Sequence, residues 1–167
     1  VVTDGVAVPM LTAAGFRVLS EESGLSGRGT GPLVVIDPLD GSTNFSRGVP
    51  WYATALCLVD GEGPAVALVA NQASGERFSA VRGEGAHRDG TRLVPSTVER
   101  VEDAVVAISG MPKRVLPWKQ FRAMGSAALS LCDVASGRLD AMLDALPDRH
   151  GPWDYLGGLL VCTEAGA

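Results

Sequence analysis

The chain is poor in the residues that build the commoner metal and redox sites. Of its 167 residues only three are cysteines and two are histidines. Cys57, Cys132 and Cys162 lie far apart, each inside an apolar segment. That spacing excludes the CxxC form of a zinc site, and the density is far below that of a disulfide framework. The thiols are therefore expected to be reduced core side chains of a cytoplasmic protein. Aromatic residues are only 5% of the chain and form no cluster that would stack on an adenine. No apolar run approaches the roughly 18 residues of a membrane-spanning helix, and no secretory signal is visible. The reading is a soluble protein with no membrane partner. Basic residues are outnumbered 14 to 19, for a net charge of −5, which argues against a surface built for nucleic acid. If the substrate is an anion, something other than lysine and arginine must attract it.

What is present suits one core and thus a single domain over residues 1–167. "VVTD" reads as a short strand ending in Asp4, followed by a weak helical segment that Pro9 interrupts and Gly15 closes. "FRVLSEESG" alternates as a strand, with Phe16, Val18 and Ser20 on one face. After the glycine-rich loop "GLSGRGTGP", "LVVID" is a β-branched run of the kind found in a strand covered on both faces. Residues 53–94 read as antiparallel hairpins, with His87 in the turn "EGAHRDG". "DAVVAIS" is a further strand and "MPKRVLP" a loop. The segment from Trp118 to Gly137 carries Phe121, Met124, Ala128, Leu131 and Ala135 at helical spacing. "RLDAMLD" alternates as a strand, and "PWDYLGGLLVCTEAGA" reads as a helix with Asp154 at its start and Gly166 at its end. Runs of strands mixed with separate helices point to layered α and β structure.

Chemistry concentrates where strands end in acids: Glu21 and Glu22 after one, Asp37 and Asp40 after another. Carboxylates brought together there raise one another's pKa and would partly protonate. A hard divalent cation relieves the repulsion, and magnesium fits carboxylate and carbonyl oxygens where no Cys/His cluster exists for zinc. Pro38 is expected to end the strand ladder so that Asp40 turns toward the same point as Asp37, with the Leu39 carbonyl as a further ligand. "GSTN" then offers a permissive glycine, hydroxyls and N–H groups that could cradle a phosphate oxygen. Taken singly, each feature has a plainer reading: DPLDG as a turn, Asp154 as an N-cap, "SEES" as a solvated loop, Gly125-Ser126-Ala127 as a close helix contact, and the two histidines as surface residues. Their joint occurrence, in order, shifts the balance.

The combination resembles the inositol monophosphatase family. "DPLDGSTNF" matches that family's first signature and "WDYLGGLLVCTEAGA" its second, up to a final alanine in place of glycine. The likeness extends to "VVTD", "SEESG", "RGEGAHRDG" and "RAMGSAAL". It implies an α+β fold, the layered αβαβα sandwich of that family. It also implies a phosphomonoesterase that uses two or three Mg2+ ions, is inhibited by lithium and acts on a small phosphorylated metabolite; a homodimer is expected instead from the core faces that missing layers of the fold would expose. By the same resemblance, Glu21, Asp37, the Leu39 carbonyl, Asp40 and Asp154 are metal ligands, with Glu22 a less essential neighbour. Asp4 and Ser42, with Glu21, look like the residues that activate the attacking water. Gly41, Ser42 and Thr43 would donate to the phosphate. Gly125, Ser126 and Ala127 resemble the helix start that touches sugar hydroxyls, and Asp144 stands where the family often has a glutamate that binds the inositol ring. The implied reaction is in-line attack of water on phosphorus without a covalent phosphoenzyme.

The chain also departs from the family in its extent. The segment between Asp4 and Glu21 is short, a helical region normally precedes the "VTD" segment, and further strands and a helix normally follow "EAGG". The chain is thus expected to be a fragment, or a reduced form completed by a partner. The shorter acid at Asp144 and the longer loop "ALPDRHGP" keep histidinol phosphate and phosphoadenosine phosphate open as substrates beside inositol monophosphate. A truncated, non-catalytic interaction protein is the reading from another class.

Overall fold

A computed structural model describes residues 2–146 and 148–167; Val1 of "VVTD" and Pro147 of the loop "ALPDRHGP" lie outside the described residues. In chain order the elements are α1 (Val2–Ala13), β1 (Arg17–Ser20), β2 (Gly24–Ser26), β3 (Leu33–Asp40), α2 (Ser42–Arg47), β4 (Ala53–Asp60), β5 (Gly63–Asn71), β6 (Arg77–Val81), β7 (Gly85–Arg88), β8 (Thr91–Arg92), β9 (Val105–Ser109), β10 (Gln120–Arg122), α3 (Ala127–Ala135), β11 (Ala141–Asp144) and α4 (Pro152–Ala165). The larger sheet has the order β2-β1-β3-β4-β5-β6-β7-β8, and the smaller β10-β9-β11. All neighbours in the larger sheet are antiparallel except β1 and β3, whereas the smaller sheet is parallel throughout.

The period of two along the strands divides the larger sheet into two faces. Ala53, Ala55, Ala67, Val69, Phe78 and Ala80 pack with Ala128, Leu129 and Cys132 of α3 and with Leu160, Val161 and Cys162 of α4. On the opposite face, Val8 of α1 closes over Val18 and Ile36. Small residues on the sheet let α4 lie close, and two glycines of α4 complete the fit. A Cβ on Gly157 would stand 3.2 Å from the Leu56 carbonyl oxygen, and one on Gly158 would stand 2.7 Å from the Leu131 Cβ. The helix is thereby pressed between the sheet and α3. With the smaller sheet beyond α3, the order of layers is α1, sheet, α3 and α4, sheet, which is the layering expected of the family as far as the described residues reach.

Several local expectations are corrected. "VVTD" is the first turn of α1, not a strand, and Pro9 lies inside that helix. Pro9 cannot donate to the Gly5 carbonyl, yet the helix continues through it with Val8 buried against Val18 and Ile36. Within the glycine-rich loop, Gly24–Ser26 forms a short strand antiparallel to β1. Pro38 does not end β3: the strand runs to Asp40, and its pairing with β4 shifts between Asp37 and Asp40. The proline has no N–H for the ladder, and its carbonyl takes the Thr54 hydroxyl at 3.0 Å instead. His87 sits in β7 opposite Ser79, not in a turn. The helix expected from Trp118 begins only at Ala127, because Gly125 takes a left-handed φ of 80° and Ser126 caps the helix. Residues 120–122 become an edge strand beside β9. The strands at 53–71, β9 and β11, and the final helix with its Asp154 and Gly166 ends, form as expected.

Candidate active site

Three carboxylates from two elements meet beneath the start of α3. Asp37 and Asp40 come from the end of β3, and Asp154 from the first turn of α4; one oxygen of each lies within 4.8 Å of the others. Asp37 is 1% exposed and Asp40 6%. Each is anchored through one oxygen. Asp37 Oδ1 accepts the Leu39 N–H at 2.8 Å. Asp40 Oδ2 accepts the Ser126 hydroxyl at 2.6 Å and the Ala128 N–H at 2.8 Å. Asp154 Oδ2 accepts the Gly151 N–H at 2.7 Å, satisfying an N–H at the start of its own helix.

These anchors do not offset burial. Desolvation, followed by repulsion from Asp40, pushes the Asp37 carboxyl up from 3.8 to about 8. Desolvation also raises Asp40 to about 6 against the opposing bonds from Ser126 and Ala128. Burial raises Asp154, with the Gly151 N–H opposing. Glu21 is raised by burial too; its contact with Asp37 opposes this, and Asp154 and Glu22 add repulsion. A hydrophobic fold does not gather such groups without some other charge to balance them. A donor set made of carboxylate oxygens suits a hard divalent cation.

The other expected residues divide into two groups. Asp4 lies on α1, where its Oδ1 accepts the hydroxyls of Ser20 and, at 3.2 Å, Ser23. Gly41 takes φ 86°, and a Cβ there would lie 2.9 Å from the Trp51 carbonyl oxygen, so glycine is required where the chain turns into α2. Ser42 and Thr43 are exposed in the first turn of α2, whose N–H groups have no partner within the helix. Leu39 is half-buried between the two aspartates. Gly125, Ser126 and Ala127 line a cavity of about 230 Å³ together with Asp40, Ser109 and His150. The Ser126 side chain is already engaged, since it holds Asp40 and accepts the Leu129 N–H at 3.3 Å.

Asp144 is placed differently. It lines a second cavity of about 350 Å³ with Tyr155 and Leu159. Its Oδ2 contacts His150 Nδ1 at 2.8 Å and its Oδ1 accepts the Leu146 N–H at 3.0 Å. The hydrogen bond to His150 holds its carboxyl below the usual range. His150, expected at the surface, is half-buried and meets Ser109, which sequence reasoning passed over; the two come together only in the fold. It also passed over Asn44, whose amide donates to the carbonyls of Trp51 and Met124 at 2.7 Å and ties α2 to the loop before α3.

The inositol monophosphatase family model matches residues 12–167. The fructose-1,6-bisphosphatase/inositol-1-monophosphatase of Archaeoglobus fulgidus is 35% identical across 99% of this chain and 66% of its own length. Nus factor SuhB of Escherichia coli K12 is 34% identical across 89% of this chain and 60% of its own. The crystal structure of extragenic suppressor protein SuhB from Bartonella henselae superposes with a TM-score of 0.88 at 32% identity, over 98% of this chain and 68% of that one. This chain thus spans about 60 to 66% of the length of these two curated relatives. With relatives named Nus factors, the expectation that nucleic acid is no partner has no support. Among the described residues no helix is long and apolar enough to cross a membrane. On its sequence, its layered fold and its carboxylate cluster, the chain belongs to the inositol monophosphatase family.

Proposed function

We propose that the protein is a magnesium-dependent phosphomonoesterase acting on inositol monophosphate or a related small polyol phosphate. The observation that carries this reading is the convergence of Asp37, Asp40 and Asp154 within 4.8 Å. Those three, with Glu21 and the Leu39 carbonyl, would hold the ions. Bound there, two or three magnesium ions supply charge neutralisation and Lewis acidity toward water and phosphate. The first-turn N–H groups at Ser42 and Thr43, with Gly41, orient the phosphate oxygens. Asp4 has Oδ1 fixed by two serine hydroxyls, which leaves Oδ2 to take a proton from the attacking water, with Ser42 as its partner in that task. The three free, buried cysteines suit a reducing, cytoplasmic setting. Exposed Val66, Leu68 and Val81 on the outer face of the sheet suit a homodimer, checked by light scattering.

Phosphate release from inositol monophosphate, histidinol phosphate and phosphoadenosine phosphate, each with magnesium, with EDTA and with added lithium, tests the reading. Release that needs magnesium and is suppressed by lithium is expected, with inositol monophosphate preferred. Asp37→Asn keeps the acceptor for the Leu39 N–H and is expected to lower turnover by a factor of about a thousand or more, in line with loss of a charge used in the transition state. Equal turnover in that variant removes Asp37 from the ligand set. A second reading, a non-catalytic interaction protein, is favoured by the relatives named Nus factors. No release from a folded, magnesium-loaded chain would select it.

A further inference from the structure

We infer that Asn44 is a positioning residue that ties the turn of Gly41, Ser42 and Thr43 to the segment holding Asp40, so that the phosphate-facing turn takes its place from the metal pocket. The inference rests on the phosphatase reading above.

α2 is six residues long and none of them is buried. A helix of that length does not hold its shape alone, so its place depends on what ties it down. Phe45 meets Tyr52 edge to face with ring centroids 5.1 Å apart, but the Phe45 side chain is itself exposed. The stronger attachment is the half-buried Asn44. Its amide nitrogen lies 2.7 Å from the Trp51 carbonyl oxygen and 2.7 Å from the Met124 carbonyl oxygen. Both neighbours only accept, so the NH2 group faces them and gives one hydrogen to each. The side chain has no hydrogen left for a phosphate, and its effect on the reaction is exerted through position.

The backbone segments around this amide are in direct contact. A Cβ on Gly41 would lie 2.9 Å from the Trp51 carbonyl oxygen and 3.3 Å from that of Gly125, and one on Gly125 would lie 3.2 Å from the Asn44 amide nitrogen. Just beyond Gly125, Ser126 and Ala128 donate to Asp40 Oδ2. The two sides differ in how they are fixed. Ala127, Ala128 and Leu129 are buried, and the last two belong to the core shared with the sheet and α4. The start of α3 is thus anchored without help, and α2 is the part that Asn44 holds. A misplacement of about 1 Å at such a point costs on the order of a hundredfold in rate.

This direction separates Asn44 from Ser126, which acts on Asp40 itself. Removing the amide frees the turn and leaves the cation pocket in place. Asn44→Leu keeps similar bulk without either donor, and Asn44→Ala removes the bulk as well.

Calorimetry on the intact protein gives the affinity for magnesium alone and for inorganic phosphate at saturating magnesium. In both variants phosphate binding is expected to weaken about tenfold or more, with kcat/KM for inositol monophosphate lowered about a hundredfold. Magnesium binding is expected to stay within about threefold of wild type, because the bonds to Asp40 remain. Hydrogen exchange reads the turn directly. The Phe45, Gly48 and Val49 amides, bonded to the carbonyls of Gly41, Phe45 and Asn44, should exchange about tenfold faster while those of β4 do not change. A side chain that only stabilised the fold would lower the thermal midpoint and leave phosphate affinity intact wherever the chain is folded. Phosphate affinity within twofold of wild type in both variants overturns the inference. So does a loss of magnesium affinity as large as that of phosphate affinity, since Asn44 would then act on Asp40. Wild type that neither binds phosphate nor releases it from the ester with magnesium rejects the phosphatase reading; exchange at α2 then decides alone, faster exchange retaining the hold of Asn44 on the turn and unchanged exchange overturning it.

Discussion

In the absence of cations the folded protein should lose stability as pH rises from 5 to 8, the reverse of ordinary acid denaturation. In the unfolded chain Asp37 ionises near 3.8, whereas in the fold it holds its proton to about 8. A carboxyl raised in the folded state contributes stability below its unfolded pKa, and that contribution is lost as pH climbs toward the folded value. Between pH 5 and 8 one retained proton weakens folding by about 1.4 kcal/mol per pH unit, or roughly 4 kcal/mol in all. Asp40, raised to about 6, adds about 1 kcal/mol in the first unit by the same arithmetic. Glu21 and Asp154 act in the same direction, more weakly because they are less buried. The lowered carboxyls of Asp60, Glu76, Asp144 and Glu164 act in the opposite direction, but below their ordinary values near 4. The net loss is a large share of the 5–15 kcal/mol typical of a domain. Urea denaturation in EDTA at pH 5, 6, 7 and 8, repeated with 10 mM magnesium, reads it directly. Magnesium should offset most of the loss, since it binds the folded state only. In EDTA at pH 8, Asp37→Asn should be more stable than wild type by about 2–4 kcal/mol, because a neutral amide carries no ionisation penalty. Stability in EDTA that is flat or rising over this range, or a variant no more stable than wild type, would refute the reasoning.

Ser126→Ala removes both the cap of α3 and the hydroxyl that holds Asp40. It should lower stability by about 1–2 kcal/mol in urea denaturation and weaken magnesium binding in calorimetry, whereas Ser126→Thr should retain most of both. Gly158→Ala would gain about 1 kcal/mol of helix propensity. Its Cβ, however, would stand 2.7 Å from the Leu131 Cβ and 3.0 Å from the Ala128 carbonyl oxygen. Backbone cannot yield cheaply, so net destabilisation of about 1–3 kcal/mol is expected, seen as a lower thermal midpoint; a raised midpoint would mean that α3 and α4 separate more easily than their packing indicates.

The carboxylate cluster was legible because each member carries a local signal. Asp37 and Asp40 end a β-branched run, and Asp154 follows Pro152 at a helix start, where both residue types are favoured. These signals place each acid on its own element; that Asp154 meets the other two was implied by the family resemblance and not by any local pattern. Local signals misled where burial or capping opposed them. Pro9 argued for a broken helix, yet α1 persists because Val8 is needed over Val18 and Ile36. Phe121 and Met124 continued a helical spacing that Gly125 and Ser126 interrupt, and a serine before an apolar run was itself a readable cap. His150 and Ser109 were not legible at all, for they meet across 41 residues from a strand end and a loop. No periodicity records such a contact.

On the proposed function an acidic protein has to admit an anion without its own carboxylates repelling it, and the way they are anchored addresses that requirement. Asp40 rests on the N-terminal turn of α3, Asp154 on the N-terminus of its own helix, and Asp37 on the Leu39 N–H. At helix N-termini the unpaired N–H groups and the macrodipole favour negative charge. Each anchor fixes the plane of a carboxylate through one oxygen and leaves the other for a cation, so the geometry is set before any ion arrives. The residues that seemed incidental in the sequence have a common role on this view. Pro38 frees its ladder position where the pairing shifts, Gly41 lets the chain turn beside Trp51, and Ser126 and Gly151 supply donors to the aspartates. Asp37 and Asp40 stand three residues apart because that spacing, across an irregular strand end, lets one aspartate be held by its own loop and the other by a distant helix while both reach the same point.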